Sequence, residues 1–173
     1  GSSAPARRWV PIGNSNAFYG NFNGNGYTIS GLYVNNSDYY TGLFGCCGGS
    51  ITNLKIKNSY INGKDLYTGA VVGNIYGSSD AKAYVSNCSV SSSVVKGTNY
   101  TGGVIGKSSS YVSVYKCSNS AKVTGKDYVG GITGDALVSG SKYYSNTNSG
   151  TISGEWGIGG VCGYMSTSKP TSE

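Results

Sequence analysis

The phrase "YTGGVIG", from Tyr100 to Gly106, recurs along the chain as "YTGLFG" at Tyr40, "YTGAVVG" at Tyr67, "YVGGITG" at Tyr128 and "WGIGGVCG" at Trp156. Its closing glycines, Gly45, Gly73, Gly106, Gly134 and Gly163, are separated by 28, 33, 28 and 29 residues. A second phrase lies between the copies: "ITNLKI" at Ile51, "VSNCSV" at Val85, "VYKCSN" at Val114 and "YSNTNS" at Tyr144. A third ends each unit in glycine: "INGKD" at Ile61, "VKGTN" at Val95, "VTGKD" at Val123 and "ISGEW" at Ile152. Three elements in constant order, at a period near 29 residues, define a repeat architecture in which no unit buries its apolar side alone.

Each unit has room for about three short strands between glycine corners, and none carries the roughly 10–12 residues of helical periodicity that a helix-bearing repeat needs. The 29 glycines disfavour helix, while the 16 tyrosines and the many valines suit a pleated surface. Units stacked at about 4.8 Å pair strand on strand in parallel. The expected fold is therefore all-β: a right-handed parallel β-helix, or solenoid, of about five coils. Val71, Val104, Ile132 and Val161 align as an interior ladder, and Leu54, Cys88, Cys117 and Thr147 as a second inward column. A leucine-rich repeat fits only "ISGLYV" at Ile29 and "ITNLKI" at Ile51, after which its spacing lapses.

The expected organisation is a scar or linker over residues 1–8, one repeat domain over 9–163 and a linker stub over 164–173, together a segment of a longer protein. No run approaches the ~18 apolar residues of a membrane span, so membrane insertion is not expected. The charge is +6, from 13 Lys and Arg against 7 Asp and Glu. The lysines are scattered and no RNA-binding signature accompanies them, so they read as a solvated surface and no nucleic-acid partner is expected. There is no histidine, which excludes the common Cys/His zinc patterns. No metal site or cofactor is expected.

The first quarter carries a more specific pattern. "WVPIG" at Trp9, "FYGNFNGNGYTISGLYV" at Phe18, "YTGLFG" and "GGSITNLKI" together resemble the opening of GLUG-motif repeat regions, with Asn23 standing where many such regions have aspartate. The later Y-x-G-G-I-x-G and N-C phrases are similar to that family's repeats. The resemblance covers most of Trp9 to Gly163. It implies an extracellular or cell-surface module of a large bacterial protein, of the kind found in adhesin-like proteins and beside immunoglobulin A peptidase domains. It does not imply peptidase activity, because the zinc-binding H-E-x-x-H of that domain requires histidines.

The residues offer no catalytic constellation, and no catalytic residue is assigned. Asp38, Asp65, Asp127 and Glu155, with Asn99, fall just before the aromatic of each repeated phrase, where turn chemistry accounts for Asp and Asn. No histidine is present to activate a serine or cysteine. "GNFNGNG" at Gly20 lacks the lysine and helix of a phosphate loop. The sequence thus predicts a non-enzymatic module for adhesin-like attachment or surface display, with a host glycan or extracellular matrix protein as partner. The alternatives are a carbohydrate-binding module and a β-helical polysaccharide lyase or hydrolase.

Tyr33 is expected to face solvent. Alternation counted back from Val71 or Val104 turns the column Tyr40, Tyr67, Tyr100, Tyr128 and Trp156 inward. Thr41, Thr68 and Thr101 make one short column, too little for an ice-binding array. The five cysteines are expected as free thiols, a strained Cys88–Cys117 bridge being the one exception that the 29-residue spacing permits. The chain is expected to be mostly monomeric, with some end-to-end association through its C-terminal coil.

Overall fold

The computed structural model describes residues 8–167; the proposed N-terminal scar lies outside this range but for Arg8, whereas residues 164–167 of the proposed C-terminal stub are described, and the last strand, Cys162–Ser166, runs into it. The described residues form no helix and 25 strands of two to five residues, all paired in parallel. Five strands make one coil, and five coils stack into a β-solenoid. The third coil is typical, with strands at Ala83–Ser86, Ser89–Ser91, Val94–Lys96, Thr101–Gly102 and Ile105–Ser108. These contribute in order to sheets one to five, each a five-stranded parallel ladder through all five coils.

The parallel solenoid stands as expected, but each coil has five strands where about three were expected. Between the first and second sheets, the extra corners of the second to fifth coils are made without glycine. Asn53, Asn87, Lys116 and Ser145 occupy one column between the first and second sheets, all at φ between 52° and 55°. Asparagine tolerates this left-handed region better than most residues. Asn53 Nδ2 donates to Asn23 Oδ1 at 2.9 Å, and Asn87 Nδ2 donates to Asn53 Oδ1 at 2.7 Å, tying three coils together.

Inside, columns of like residues run along the axis. Ile51, Val85 and Val114 line the first sheet, with Tyr143 in the next coil. Val34, Ile61, Val95 and Val123 line the third, all fully buried. In the expected Val71, Val104, Ile132 and Val161 ladder, the first three are fully buried and Val161, on the last coil, is 39% exposed. Leu54, Cys88 and Cys117 are buried as expected. Their continuation is Asn146 rather than Thr147, because Tyr144 lies opposite Tyr115 and Thr147 pairs with Ser118. The reason is functional equivalence: the Cys88 thiol reaches Ile51 O, the Cys117 thiol reaches Val85 O, and Asn146 Nδ2 donates to Val114 O.

The repeated glycine phrase forms an arch between the fourth and fifth sheets, whose limbs press backbone against backbone. The closing glycines align as expected, since Phe44, Val72, Ile105, Thr133 and Cys162 are in register immediately before them. A Cβ on Gly106 would lie 2.5 Å from Gly73 O, 2.6 Å from Thr68 N and 2.8 Å from Tyr67 C, so no side chain fits. The glycine ending the third phrase has another task. A Cβ on Gly63 would strike Thr68 Oγ1, so this glycine opens space for the threonine column. At the N-terminal side, Trp9 Nε1 donates to Leu43 O at 2.9 Å, and the Phe18 and Phe22 rings each lie 5.3 Å from Phe44. This segment covers the first coil.

Candidate functional surface

The most ordered outward feature is a tyrosine column along the edge of the arch. Tyr40, Tyr67, Tyr100 and Tyr128 stack with centroid separations of 5.6, 5.1 and 5.2 Å and interplanar angles of 15°, 29° and 13°. All four are half-buried, and the following residues Thr41, Thr68, Thr101 and Val129 are the ones turned inward. The expectation of an inward aromatic column is thus corrected. Strand alternation does not survive the Gly-Gly bend of the arch, so counting back across it from Val104 inverts the result. Tyr100 and Tyr128 also sit at φ of 53° and 56°, in the left-handed region, which interrupts the alternation.

Trp156 does not continue the column. It pairs with Asp127, leaving Gly157, at φ 59°, in the place of Tyr128. The fifth ring comes from the neighbouring sheet: Tyr164 lies 5.0 Å from Tyr128 at 53°.

Lys107 and Asp135, each one residue past a closing glycine, stand beside this column. Lys107 Nζ lies 3.3 Å from Asp135 Oδ2, and 5.3 and 5.7 Å from the Tyr67 and Tyr100 ring centroids. That is within range of a cation–π attraction to both rings. Burial works against the Lys107 ammonium, but Asp135 and the tyrosines outweigh it and hold its pKa above the ordinary value. Burial raises the Tyr40 and Tyr100 hydroxyls, with smaller contributions from Cys46 at Tyr40 and from Tyr67 at both. Sequence reasoning did not single out the pair, although its 28-residue separation after successive closing glycines was a usable signal.

Asp38, Asp65, Asp127 and Glu155 recur at the edge leading into the fourth sheet, but not as amide-binding turn residues. Asp38 Oδ2 accepts from Asn14 Nδ2 at 2.7 Å, while the turn acceptor is Asn36 Oδ1, which takes the Asp38 amide at 3.3 Å. Lys64 and Lys126 form no ion pair with these carboxylates among the described residues, where Lys107–Asp135 is the one pair. No cluster of three or more Cys, Asp or Glu side chains that could hold a metal ion occurs among the described residues.

Two open depressions mark the surface. One, of about 420 Å³, is lined by Lys126, Asp127, Tyr128, Glu155 and Trp156, with Trp156 75% exposed. The other, of about 440 Å³, includes Tyr33, Asn58, Tyr60 and Val94. Tyr33 faces outward as expected, but its ring is stacked on Tyr60 at 5.6 Å and 16°. Thr41, Thr68 and Thr101 are buried, which removes them from any exposed array. All five cysteines are free thiols. The Cys88 thiol and burial together push the Cys117 thiol well above its ordinary range. No described helix is long and apolar enough to cross a membrane.

No protein-family profile and no solved structure matches the chain. Two curated proteins are similar to parts of it. A protein described as a Gly-rich membrane protein, from Evansella cellulosilytica, is 47% identical over 75 residues, covering 40% of this chain and 9% of that protein. Halomucin from Haloquadratum walsbyi is 39% identical over 102 residues, covering 56% of this chain and 1% of that protein. The chain therefore spans a small fraction of either relative.

Proposed function

We propose that the chain is a non-enzymatic repeat module of a surface-type protein, serving attachment or display outside the cell. The observation that carries this reading is the unbroken stacking of all five sheets through all five coils. A continuous solenoid extends by about 4.8 Å per coil and holds outward side chains in fixed columns, properties suited to a stalk or an adhesive surface. The names of the two relatives, a Gly-rich membrane protein and halomucin, support a surface location, as does the sequence resemblance to GLUG-motif regions of adhesin-like proteins. The partner expected on that reading is a host glycan or matrix protein. Antibody labelling of intact cells producing the parent protein tests it, and a signal confined to permeabilised cells would overturn it.

The depression around Trp156 favours a second reading, a carbohydrate-binding module. An exposed indole beside Lys126, Asp127 and Glu155 offers an apolar plate with polar groups at its rim. A glycan array, repeated with Trp156→Ala, decides between binding module and spacer. The catalytic alternative needs Asp127 and Glu155 to act as acid and base, and new reducing ends or unsaturated products from a polysaccharide panel would establish it.

A further inference from the structure

Carboxylates are segregated around the solenoid. Among the described residues, Asp38, Asp65, Asp80, Asp127, Asp135 and Glu155 all lie outside the first three sheets. They occupy the turns entering the fourth sheet, the fourth and fifth sheets themselves, and the loop before Ala83. The first three sheets instead carry Lys55, Lys57, Lys96, Lys122 and Lys142, with Lys116 at the corner between the first two. All six are exposed, and none pairs with a carboxylate among the described residues.

The surroundings of these lysines are rich in hydroxyls. On the second sheet Lys55 lies between Thr28 and Ser89 of the adjacent coils, and Lys57 between Ser30 and Ser91. A cation flanked by hydroxyls on both sides, at the ~4.8 Å coil spacing, meets a chain that alternates anionic groups with hydroxyls of its own. We propose that this three-sheet face binds an acidic polysaccharide, its carboxylates taken by the lysines and its hydroxyls by the serines and threonines. The inference rests on the surface-module reading and names the partner class for it.

Nucleic acid fits less well. The face presents six lysines, hydrated point charges, and one described arginine, Arg8, whose guanidinium already donates to Asn35 O on the third sheet, whereas bidentate arginine dominates base and phosphate recognition. Short parallel ladders carry no helix or projecting ribbon to enter a groove. The Tyr115 and Tyr144 rings on the first sheet are stacked on each other at 4.9 Å and 3°, which closes their facing sides to bases.

The test is binding of the chain to immobilised polygalacturonate, with neutral dextran and duplex DNA as parallel surfaces. Binding to the polyuronate is expected to weaken as salt rises, because exposed charges are screened beyond about 8 Å at physiological ionic strength. The triple variant Lys55→Gln, Lys57→Gln, Lys122→Gln is expected to lose about tenfold or more in affinity. The control Lys64→Gln, on the acidic edge, is expected to stay close to the parent, and circular dichroism checks that both remain folded. No binding at low salt, an equal loss in the control, or equal binding to DNA overturns the proposal. Surface labelling of intact cells is read separately, so absence of polyuronate binding with labelling intact refutes this inference and leaves the surface-module reading standing.

Discussion

Replacing Gly106 with alanine is the most direct test of the backbone-to-backbone arch. The new Cβ would meet three backbone atoms of the preceding coil at 2.5–2.8 Å, whereas carbon contacts are comfortable at about 3.5–4.0 Å. The shortfall is about 1 Å, and the struck atoms belong to strands held in ladders on both sides, so no side chain can rotate away. Overpacking of this kind costs about 1–3 kcal/mol, and the backbone location places it at the upper end. Loss of glycine's freedom in the unfolded chain returns about 0.4–1 kcal/mol. The net destabilisation is about 2 kcal/mol, a fall in melting temperature of roughly 4–8 °C for a chain of this size. Gly160 supplies the internal control. It lies in the same phrase of the last coil, has no positive φ, and a Cβ there meets nothing within 4 Å. Gly160→Ala should leave the melting temperature unchanged or raise it by about 1–4 °C. Thermal melts followed by circular dichroism compare the two. A Gly106→Ala protein that melts at or above the parent would refute the arch as the reason for the repeated phrase.

Thr68 is fully buried, and its hydroxyl finds no partner among the described residues, while Val129 and Ile158 continue its column. Thr68→Val should therefore stabilise the chain by about 1 kcal/mol, read as a higher urea midpoint; a lower midpoint would show that the hydroxyl is satisfied. Val104→Asp puts an unpaired carboxylate into the interior and should cost several kcal/mol or force its protonation; a melt like the parent's would place Val104 outside. The raised pKa values of Lys107, Tyr40 and Tyr100 give stability that is complete below the unfolded values, near pH 10, and is lost as pH rises through the folded ones. Melting temperature should hold from neutral pH to about 9 and fall above about 10, with a shallower fall in Lys107→Met and Tyr100→Phe. Burial pushes Cys47 up to about 11, so native alkylation there should be slow, whereas mass spectrometry after unfolding without reductant should find five alkylated thiols.

The repeat, the all-β class and the alignment of the five closing glycines were legible in the sequence, because a solenoid writes its period directly into the chain. The interior ladders of Val71, Val104 and Ile132 were legible for the same reason. What the sequence hid lies wherever chain direction changes without glycine: Asn53, Asn87 and Lys116 turn corners at positive φ, so five strands per coil looked like three. The C-terminal coil misled through register alone: its offset from the preceding coil is a constant 29 residues, which sets Trp156 opposite Asp127 rather than Tyr128, and Asn146 rather than Thr147 opposite Cys117. The outward turn of the tyrosine column, the Lys107–Asp135 pair and the gathering of the described carboxylates outside the first three sheets belong to the tertiary structure. Local alternation cannot place a side chain beyond a bend that resets it, and only stacking brings residues about one repeat apart into contact.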